Sequence, residues 1–271
     1  MKLKKALTTI ILGGACVLAS CSSHFQSVEE IQSKGKLVVE TNAEFAPFEY
    51  KVGTEYLGID MDIIKAYASY LNVSIDIQDM DFDAALLSVS TNKANIAIAG
   101  ITKNSKREET LSFSDSYYTA SQVVIVSKDS SYSTLSGEED ILKALSDTHA
   151  KIGCQRGTTG QYYIEGDEDF EFEGIPNTSC VTYDNGALAV TALANGQIDA
   201  VIIDEAPANM YCKKIAGVEV LDAILTEEEY AVAVAKGNDS LVASINEFIA
   251  QMKQEGTFET IVNKYYGQAE E

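Results

Sequence analysis

Short apolar segments alternate with segments of helical spacing along most of this chain, and this alternation constrains the fold more than any other feature. The apolar segments 36–41, 75–78 and 94–100 are separated by residues 60–71 and 82–91, whose apolar positions recur with a period of about 3.6 residues. Parallel strands need a crossover connection, and that connection is right-handed in nearly all proteins. This β-α-β-α-β order therefore predicts a parallel α/β unit.

A second unit of the same kind follows the first. Its strand-like segments are 122–127, 151–154, 180–183 and 198–204, and its helix-like segments are 138–145, 160–165 and 187–195. Residues 229–235 are apolar enough for a central strand, and residues 240–256 and 257–266 have the spacing of two closing helices. The pattern predicts two α/β lobes of about 100 residues each. Because ligands of open α/β sheets bind beyond the carboxyl ends of the strands, the loops to inspect follow Val39, Ile98, Cys154 and Ile203.

The first 20 residues have the pattern of a secretory signal. Lys2, Lys4 and Lys5 precede an apolar run over 6–18, which is shorter than the roughly 20 residues of a membrane-spanning helix. The run ends in Leu-Ala-Ser-Cys21, which resembles a bacterial lipobox. We expect a signal peptide over 1–20, a lipid on Cys21 and a polar tether over 21–35; the alternative is an ordinary secretory peptide with a chance cysteine. These features predict an extracytoplasmic protein, lipid-anchored to a bacterial cell membrane.

Composition excludes several classes of function. The 271 residues include 41 acidic and 20 basic side chains, a net charge of −21, which excludes a nucleic-acid binder that works through a basic surface. Two histidines and no Cys-x-x-Cys motif make a metal site unexpected, and nothing indicates a cofactor. The mature chain would keep three cysteines, Cys154, Cys180 and Cys212. Cys154 and Cys180 could form a disulfide if their segments are neighbouring strands; the alternative is that all three are small buried side chains.

The strand ends carry a set of residues suited to a small zwitterion. Phe45 and Phe82 either pack inside a lobe or form two walls around a ligand. Arg107 is either an ordinary surface arginine or a clamp for a carboxylate, and residues 156–160 open a helix whose first N–H groups can bind the same anion. Asp204 ends an apolar strand without an adjacent cation, and a ligand ammonium would compensate its charge. Together these groups describe a site for a free α-amino acid.

The same residues give the chain a resemblance to a known family. It resembles the polar amino-acid receptors of ABC transporters, in the type II periplasmic-binding-protein superfamily. The matching segments are TNAEFAPFEY (41–50), GIDMD (58–62), MDF (80–82), AGIT (99–102) with Arg107, FSDSYY (113–118), RGTT (156–159), IDAVIID (198–204) and EGTF (255–258). The resemblance implies two Rossmann-like lobes joined by a two-strand hinge, with the ligand cleft between them. Lobe 1 would be discontinuous, over 36–117 and 230–271, and lobe 2 would comprise 118–229.

The resemblance also implies a role for each matching residue. Arg107, Thr102 and the N–H groups of Thr158 and Thr159 would bind the α-carboxylate. Asp204 and the Gly100 carbonyl would bind the α-ammonium, and Phe45 and Phe82 would enclose the side chain. Ile101 lies in the same loop and is included among the binding residues. Asn42, Glu44 and Gln155 would line the specificity end, and Glu44 favours a polar or basic amino acid, with arginine or lysine ahead of glutamine.

The expected mechanism is hinge closure around the ligand, followed by delivery from a monomer to an ABC permease with its ATPase. Two alternative functions would use the same cleft. A dehydratase of cyclic amino-acid precursors would need a general acid, for which Glu44 is the candidate. A receptor that senses an amino acid without transport would bind the same ligand.

Overall fold

The computed structural model describes residues 25–266. The expected signal peptide (1–20), the lipidation site Cys21 and the first residues of the tether lie outside the described residues. Within them, no helix is both long enough and apolar enough to cross a membrane.

Fifteen strands and ten α-helices make up the described part of the chain. The strands are β1 Lys36–Thr41, β2 Glu44–Phe45, β3 Glu49–Val52, β4 Glu55–Leu57, β5 Ser74–Asp79, β6 Ile96–Ala97, β7 Leu111–Phe113, β8 Tyr118–Ala120, β9 Gln122–Ser127, β10 Lys151–Gln155, β11 Ser179–Tyr183, β12 Ala200–Asp204, β13 Val218–Val220, β14 Glu228–Tyr230 and β15 Ala233–Ala235. The helices are α1 Val28–Lys34, α2 Ile59–Tyr70, α3 Phe82–Ser90, α4 Ser105–Glu108, α5 Glu138–Asp147, α6 Thr159–Glu165, α7 Gly186–Ala194, α8 Glu205–Lys214, α9 Asp239–Gln254 and α10 Thr257–Tyr266.

The first sheet has the strand order β5-β1-β6-β15-β7. Strands β5, β1 and β6 are parallel, as the β-α-β-α-β pattern predicts. Strand β15 returns from the C-terminal part of the chain and is antiparallel to both β6 and β7. Because β15 lies inside this sheet, the sheet combines early and late parts of the sequence.

The second sheet has the order β11-β10-β12-β9-β13. Strands β11, β10 and β12 are parallel, whereas β9 and β13 run antiparallel to their neighbours. Strands β9 and β12 are buried along their length, apart from the half-buried end of β9 at Ser127. This continuous apolar pattern is typical of strands covered on both faces. The two sheets confirm the α/β class with two sheet-containing lobes.

Two strands connect the lobes. Strand β8 leads from the first sheet to the second, β14 leads back, and the two pair antiparallel from Tyr118↔Tyr230 to Ala120↔Glu228. A small sheet, β2-β3-β4, follows β1 and positions Phe45 and Glu49 beside the first large sheet.

The end of the expected tether is part of the folded lobe. Ser27 caps helix α1 in a capping box with Glu30, and Ile31 on that helix is fully buried. Helix α1 packs against β1 and α9, so residues 28–34 of the expected tether belong to the folded lobe.

Candidate ligand-binding site

A cavity of about 320 Å³ lies between the lobes, at the small end of the range of ligand sites. Its lining comes from loops that follow the strands of both sheets. The lining residues are Asn42, Phe45, Glu49, Phe82, Ala99, Gly100, Thr102, Arg107, Gln155, Thr158, Thr159 and Asp204. Ten of the twelve residues expected from the sequence are therefore brought together around one cavity.

The structure places two of the expected residues elsewhere. Glu44 is exposed, and the Tyr211 hydroxyl donates to its backbone carbonyl at 2.7 Å. Strand side chains alternate between faces, so Phe45 in β2 points inward and Glu44 outward. Ile101 is fully buried in the apolar core of lobe 1 rather than in the cavity lining. Both assignments to the ligand-binding surface are corrected accordingly.

Glu49 and Ala99 are the two lining residues that the sequence analysis missed, and Glu49 is the one that carries a charge. It is 1% exposed, lines the cavity, and its Oε2 has no hydrogen-bond partner. Burial, with the neighbouring Asp60 and Asp204 carboxylates, raises the pKa of Glu49 well above its ordinary value. The signal available in the sequence was a carboxylate in the aromatic loop 45–50, four residues after Phe45, but the turn between the two residues prevents strand alternation from showing that both face the cavity.

Asp60 is a second buried carboxyl group next to Glu49. It accepts hydrogen bonds from the Gly100 N–H and from the Tyr117 hydroxyl, each at 2.9 Å. Burial raises the pKa of Asp60 to about 6, and these hydrogen bonds limit the rise. Glu49 and Asp60 also share a hydrogen bond, so two buried carboxyl groups form one unit in the wall.

Arg107 supplies the positive charge of the cavity. Its Nη1 donates to the Thr102 carbonyl at 2.6 Å, and its Nη2 donates to the Gly157 carbonyl of the other lobe at 3.1 Å. The guanidinium carbon lies 5.1 Å from the centre of the Phe82 ring, within cation–π range. Burial lowers the pKa of Arg107, yet an arginine remains charged. Among residues 25–266 no carboxylate lies within ion-pair distance of it.

Asp204 ends strand β12 on the opposite side of the cavity. The Tyr230 hydroxyl of the hinge strand β14 donates to its Oδ1 at 2.5 Å. Burial is the main cause that raises the pKa of Asp204 to about 7, and the nearby Glu228 carboxylate adds to it. A bound cation would favour the ionised form of this carboxyl group.

The apolar part of the cavity depends on Gly100. This residue has φ +54°, and a Cβ at this position would lie 2.9 Å from the Phe45 ring. Glycine therefore allows the loop to turn while Phe45 packs against it. Phe45 and Phe82 are 7% and 6% exposed, so both aromatic rings are almost fully enclosed.

Polar contacts join the two lobes across the cavity. The Gln155 amide donates to the Asn42 Oδ1 at 2.9 Å, and the Thr159 hydroxyl donates to that of Thr102 at 3.3 Å. Thr158 caps helix α6 and Thr159 begins it, so their N–H groups have no partner within the helix. Both lobes thus contribute polar groups to one enclosed space.

Metal chemistry has no evident support in the described residues. Residues 25–266 contain no group of three or more histidine, cysteine, aspartate or glutamate side chains that could hold a metal ion. The titratable groups in the lining are Glu49, Arg107 and Asp204, which suit ionic recognition of a small polar molecule.

Comparison with known proteins places this architecture in a family. Residues 37–268 match the family of bacterial extracellular solute-binding proteins, family 3. The chain belongs to this family, since the match covers most of its length.

Several relatives with assigned ligands resemble the chain over nearly their whole length. A probable histidine-binding protein of Neisseria gonorrhoeae is 28% identical over 98% of this chain and 97% of its own. The arginine-binding extracellular protein ArtP of Bacillus subtilis is 28% identical over 95% and 96%. Among solved structures, the amino-acid ABC transporter protein AbpA of Streptococcus pneumoniae, bound to L-arginine, is 30% identical, with a TM-score of 0.77 and coverage of 90% and 99%.

Proposed function

We propose that this protein is the solute-binding component of an amino-acid ABC importer and that its ligand is a polar or basic L-amino acid, with arginine or lysine ahead of glutamine. The observation that carries the ligand class is Glu49, a buried carboxyl group with a free oxygen in the cavity wall. The arginine-binding relatives support the same class.

The charges of the cavity complement such a ligand. Arg107, with the hydroxyl of Thr102 and the N–H groups at the start of α6, takes the α-carboxylate. Asp204 takes the α-ammonium. Glu49 remains for a cation at the distal end of the side chain, while Phe45 and Phe82 enclose the methylene groups. A distal cation would compensate the cost of a buried carboxylate, which is otherwise several kcal/mol in order of magnitude.

Closure of the lobes is the proposed mechanism. The ligand contacts residues of both lobes, so it binds the closed form better than the open form and shifts the population towards closure. Among the described residues we assign 28–117 and 230–266 to lobe 1 and 118–229 to lobe 2, with β8 and β14 as the hinge. The closed monomer, held at the membrane through Cys21, then delivers its ligand to a permease.

The ligand class is tested by calorimetric titration of protein that has been freed of bound ligand by unfolding and refolding. The ligands are arginine, lysine, histidine, glutamine and glutamate. We expect tight binding of arginine or lysine, weaker binding of glutamine and none of glutamate. Glutamate displacing arginine would overturn the proposal.

A matched pair of variants assigns the specificity to Glu49. Glu49→Gln keeps the size of the side chain and removes its charge, so affinity for arginine is expected to fall by about tenfold to a hundredfold, the equivalent of a charged hydrogen bond, while affinity for glutamine changes little. Glu44→Gln, at the exposed neighbour, is expected to bind like the wild type. If both variants keep the preference for arginine, Glu49 does not recognise the distal group.

The cavity favours binding over catalysis. The candidate acid of a dehydratase, Glu44, does not line it, and the charged residues that do, Glu49, Arg107 and Asp204, are all used in the proposed binding of the ligand. Incubation with a cyclic amino-acid precursor is expected to yield no dehydrated product, as judged by ultraviolet absorbance of an aromatic ring.

An amino-acid sensor would bind the same ligands as an importer. Deletion of the gene distinguishes the two, because only the loss of an importer abolishes uptake of the amino acid.

A further inference from the structure

Two cysteine side chains touch inside lobe 2, away from the ligand cavity. The Sγ atoms of Cys154 and Cys180 lie 3.2 Å apart and both thiols are free. A disulfide bond is about 2.05 Å long, so a movement of about 1 Å would join the two atoms.

The strand register explains the contact. Cys154 in β10 is opposite Thr182 of β11, and Cys180 is opposite Ile152. The two cysteines are therefore offset by two residues across neighbouring parallel strands, and side chains two residues apart share a face of the sheet. Both belong to the same apolar cluster, so the sheet holds the two thiols side by side.

The two thiols differ in access. Cys154 is fully buried and Cys180 is half-buried at the edge of the sheet, where β11 is the outermost strand. A dissolved reagent therefore reaches Cys180 first, and Cys154 is in position to react with whatever Cys180 becomes. Family members are described as extracellular proteins, and disulfides persist outside the reducing cytoplasm.

From this geometry we infer that Cys154 and Cys180 form a disulfide by exchange with a small-molecule disulfide. The Cys180 thiolate attacks the small disulfide, forms a mixed disulfide and releases one thiol. The Cys154 sulfur then attacks the Sγ of Cys180 and displaces the second thiol. The protein loses two electrons and two protons, and the reagent takes up both as two thiols.

The bond would close a loop around part of the ligand site. The enclosed residues 155–179 include Gln155, which bonds to Asn42, and helix α6 with its N-terminal residues at the cavity. A crosslink across a loop of this size restricts the unfolded chain, so the oxidised protein is expected to unfold about 5 to 10 °C higher than the reduced protein. This inference is independent of the identity of the ligand.

The experiment uses the full-length chain in detergent with Cys16→Ser and Cys21→Ser, so that the remaining thiols are Cys154, Cys180 and Cys212. The protein is reduced, freed of reductant and equilibrated with oxidised glutathione. We expect the titratable thiols to fall from three to one and the unfolding temperature to rise. Cleavage after arginine and glutamate separates the three cysteines, through Arg156, Glu173 and Glu205, and is expected to yield a Cys154–Cys180 crosslinked peptide.

Two variants provide the controls. Cys212→Ser is expected to lose both remaining thiols and to show the same rise, whereas Cys180→Ser is expected to form no internal crosslink and to show no rise. Three free thiols after equilibration, glutathione held on Cys180 alone, or a crosslink that includes Cys212 would each overturn the inference.

Discussion

Arg107 and Arg156 show how the surroundings of a residue decide its role. Arg107 is buried, is held by two backbone carbonyls and faces the cavity. Arg156 follows Gln155, a residue of the cavity lining, yet the Arg156 side chain is 53% exposed and pairs with Asp184 at 3.0 Å on the surface. A surface ion pair of this kind contributes little, whereas a buried cation that faces a ligand carboxylate contributes much.

We therefore expect Arg107→Ala to weaken ligand binding by about 2 to 5 kcal/mol, more than thirtyfold, because the ligand carboxylate loses its buried partner. Arg156→Ala is the matched control and is expected to bind within about threefold of the wild type. Calorimetric titration with arginine measures both. Equal losses in the two variants would show that Arg107 has no special role.

At the scale of elements, the loop between β10 and α6 lies close against helix α3 of lobe 1 at Gly157. Gly157 has φ +75°, and a Cβ there would lie 1.9 Å from the Asp83 carboxylate of helix α3. An alanine at this position would have to adopt the unfavourable positive φ, and the exposed Asp83 side chain would have to move aside.

Gly157→Ala is accordingly expected to reduce ligand affinity by about fivefold while the protein remains folded, because backbone strain of roughly 1 kcal/mol falls on the loop whose Gly157 carbonyl accepts a hydrogen bond from Arg107. Gly196→Ala is the matched control: Gly196 also has a positive φ, +68°, but a Cβ there meets nothing within 4 Å. Circular dichroism monitors folding and calorimetry monitors affinity. If Gly196→Ala weakens binding as much as Gly157→Ala, the loss is not specific to the loop beside the cavity.

A second contact between elements lies at the outer edge of the cleft. Lys106 at α4 pairs with Asp167 at 2.6 Å and approaches Asp169 at 3.6 Å, in the acidic turn of residues 165–173 of lobe 2. Ser105 donates to the Asp169 carbonyl at 2.7 Å. These contacts connect the lobes without touching the cavity lining, so they would stabilise the closed form for any ligand.

Lys106→Met is expected to accelerate ligand dissociation by about twofold to fivefold, since a pair this exposed contributes about 0.2 to 1 kcal/mol. Added salt should reduce the difference from the wild type. Lys103→Met is the control, because Lys103 pairs with Glu108 of its own lobe. Stopped-flow dissociation in low and high salt is the measurement, and an unchanged rate in Lys106→Met would contradict the assignment.

At the scale of the whole molecule, buried carboxyl groups make stability depend on pH. Burial raises the pKa of Asp204 from 3.8 to about 7 and that of Asp60 from 3.8 to about 6. At a pH between 3.8 and these raised pKa values, the folded protein binds more protons than the unfolded chain. Stability contributed by these groups is thus complete below pH 3.8 and is lost as the pH rises through 6 and 7.

The ligand-free protein is therefore expected to have a lower free energy of unfolding at pH 8 than at pH 5. Denaturant titrations at the two pH values measure the difference. Asp204→Asn removes one of the responsible groups, so its stability is expected to vary less over the same interval. A wild type that is more stable at pH 8, or an unchanged pH dependence in the variant, would contradict this account.

The sequence predicts most of the fold because periodicity and strand-end loops are local properties. It predicts strands β1, β5 and β6 with their connecting helices, but it misses α8, whose Pro207 is tolerated in the first turn of a helix. It also predicts one strand over 229–235, where the structure has β14 and β15, since the chain passes there from the hinge into the first sheet.

In the candidate site, too, some residues can be predicted from the local sequence and others cannot. Residues at strand ends are predictable, because parallel strands bring their carboxyl ends together. Glu44 and Glu49 are not, because the small sheet β2-β3-β4 decides which carboxylate faces the cavity. The antiparallel pairing of Phe45 with Glu49 places both on one face, and that pairing depends on a turn whose register cannot be read from the residues alone.

The position of β15 also determines when the first sheet can form all of its strand pairs. A ribosome makes β1, β5, β6 and β7 long before residues 233–235, yet β7 is joined to the others only through β15. The second sheet has all of its strands by residue 220. As the chain emerges from its N-terminal end, the inserted lobe can therefore assemble first, while the lobe that contains β1 must wait for β15.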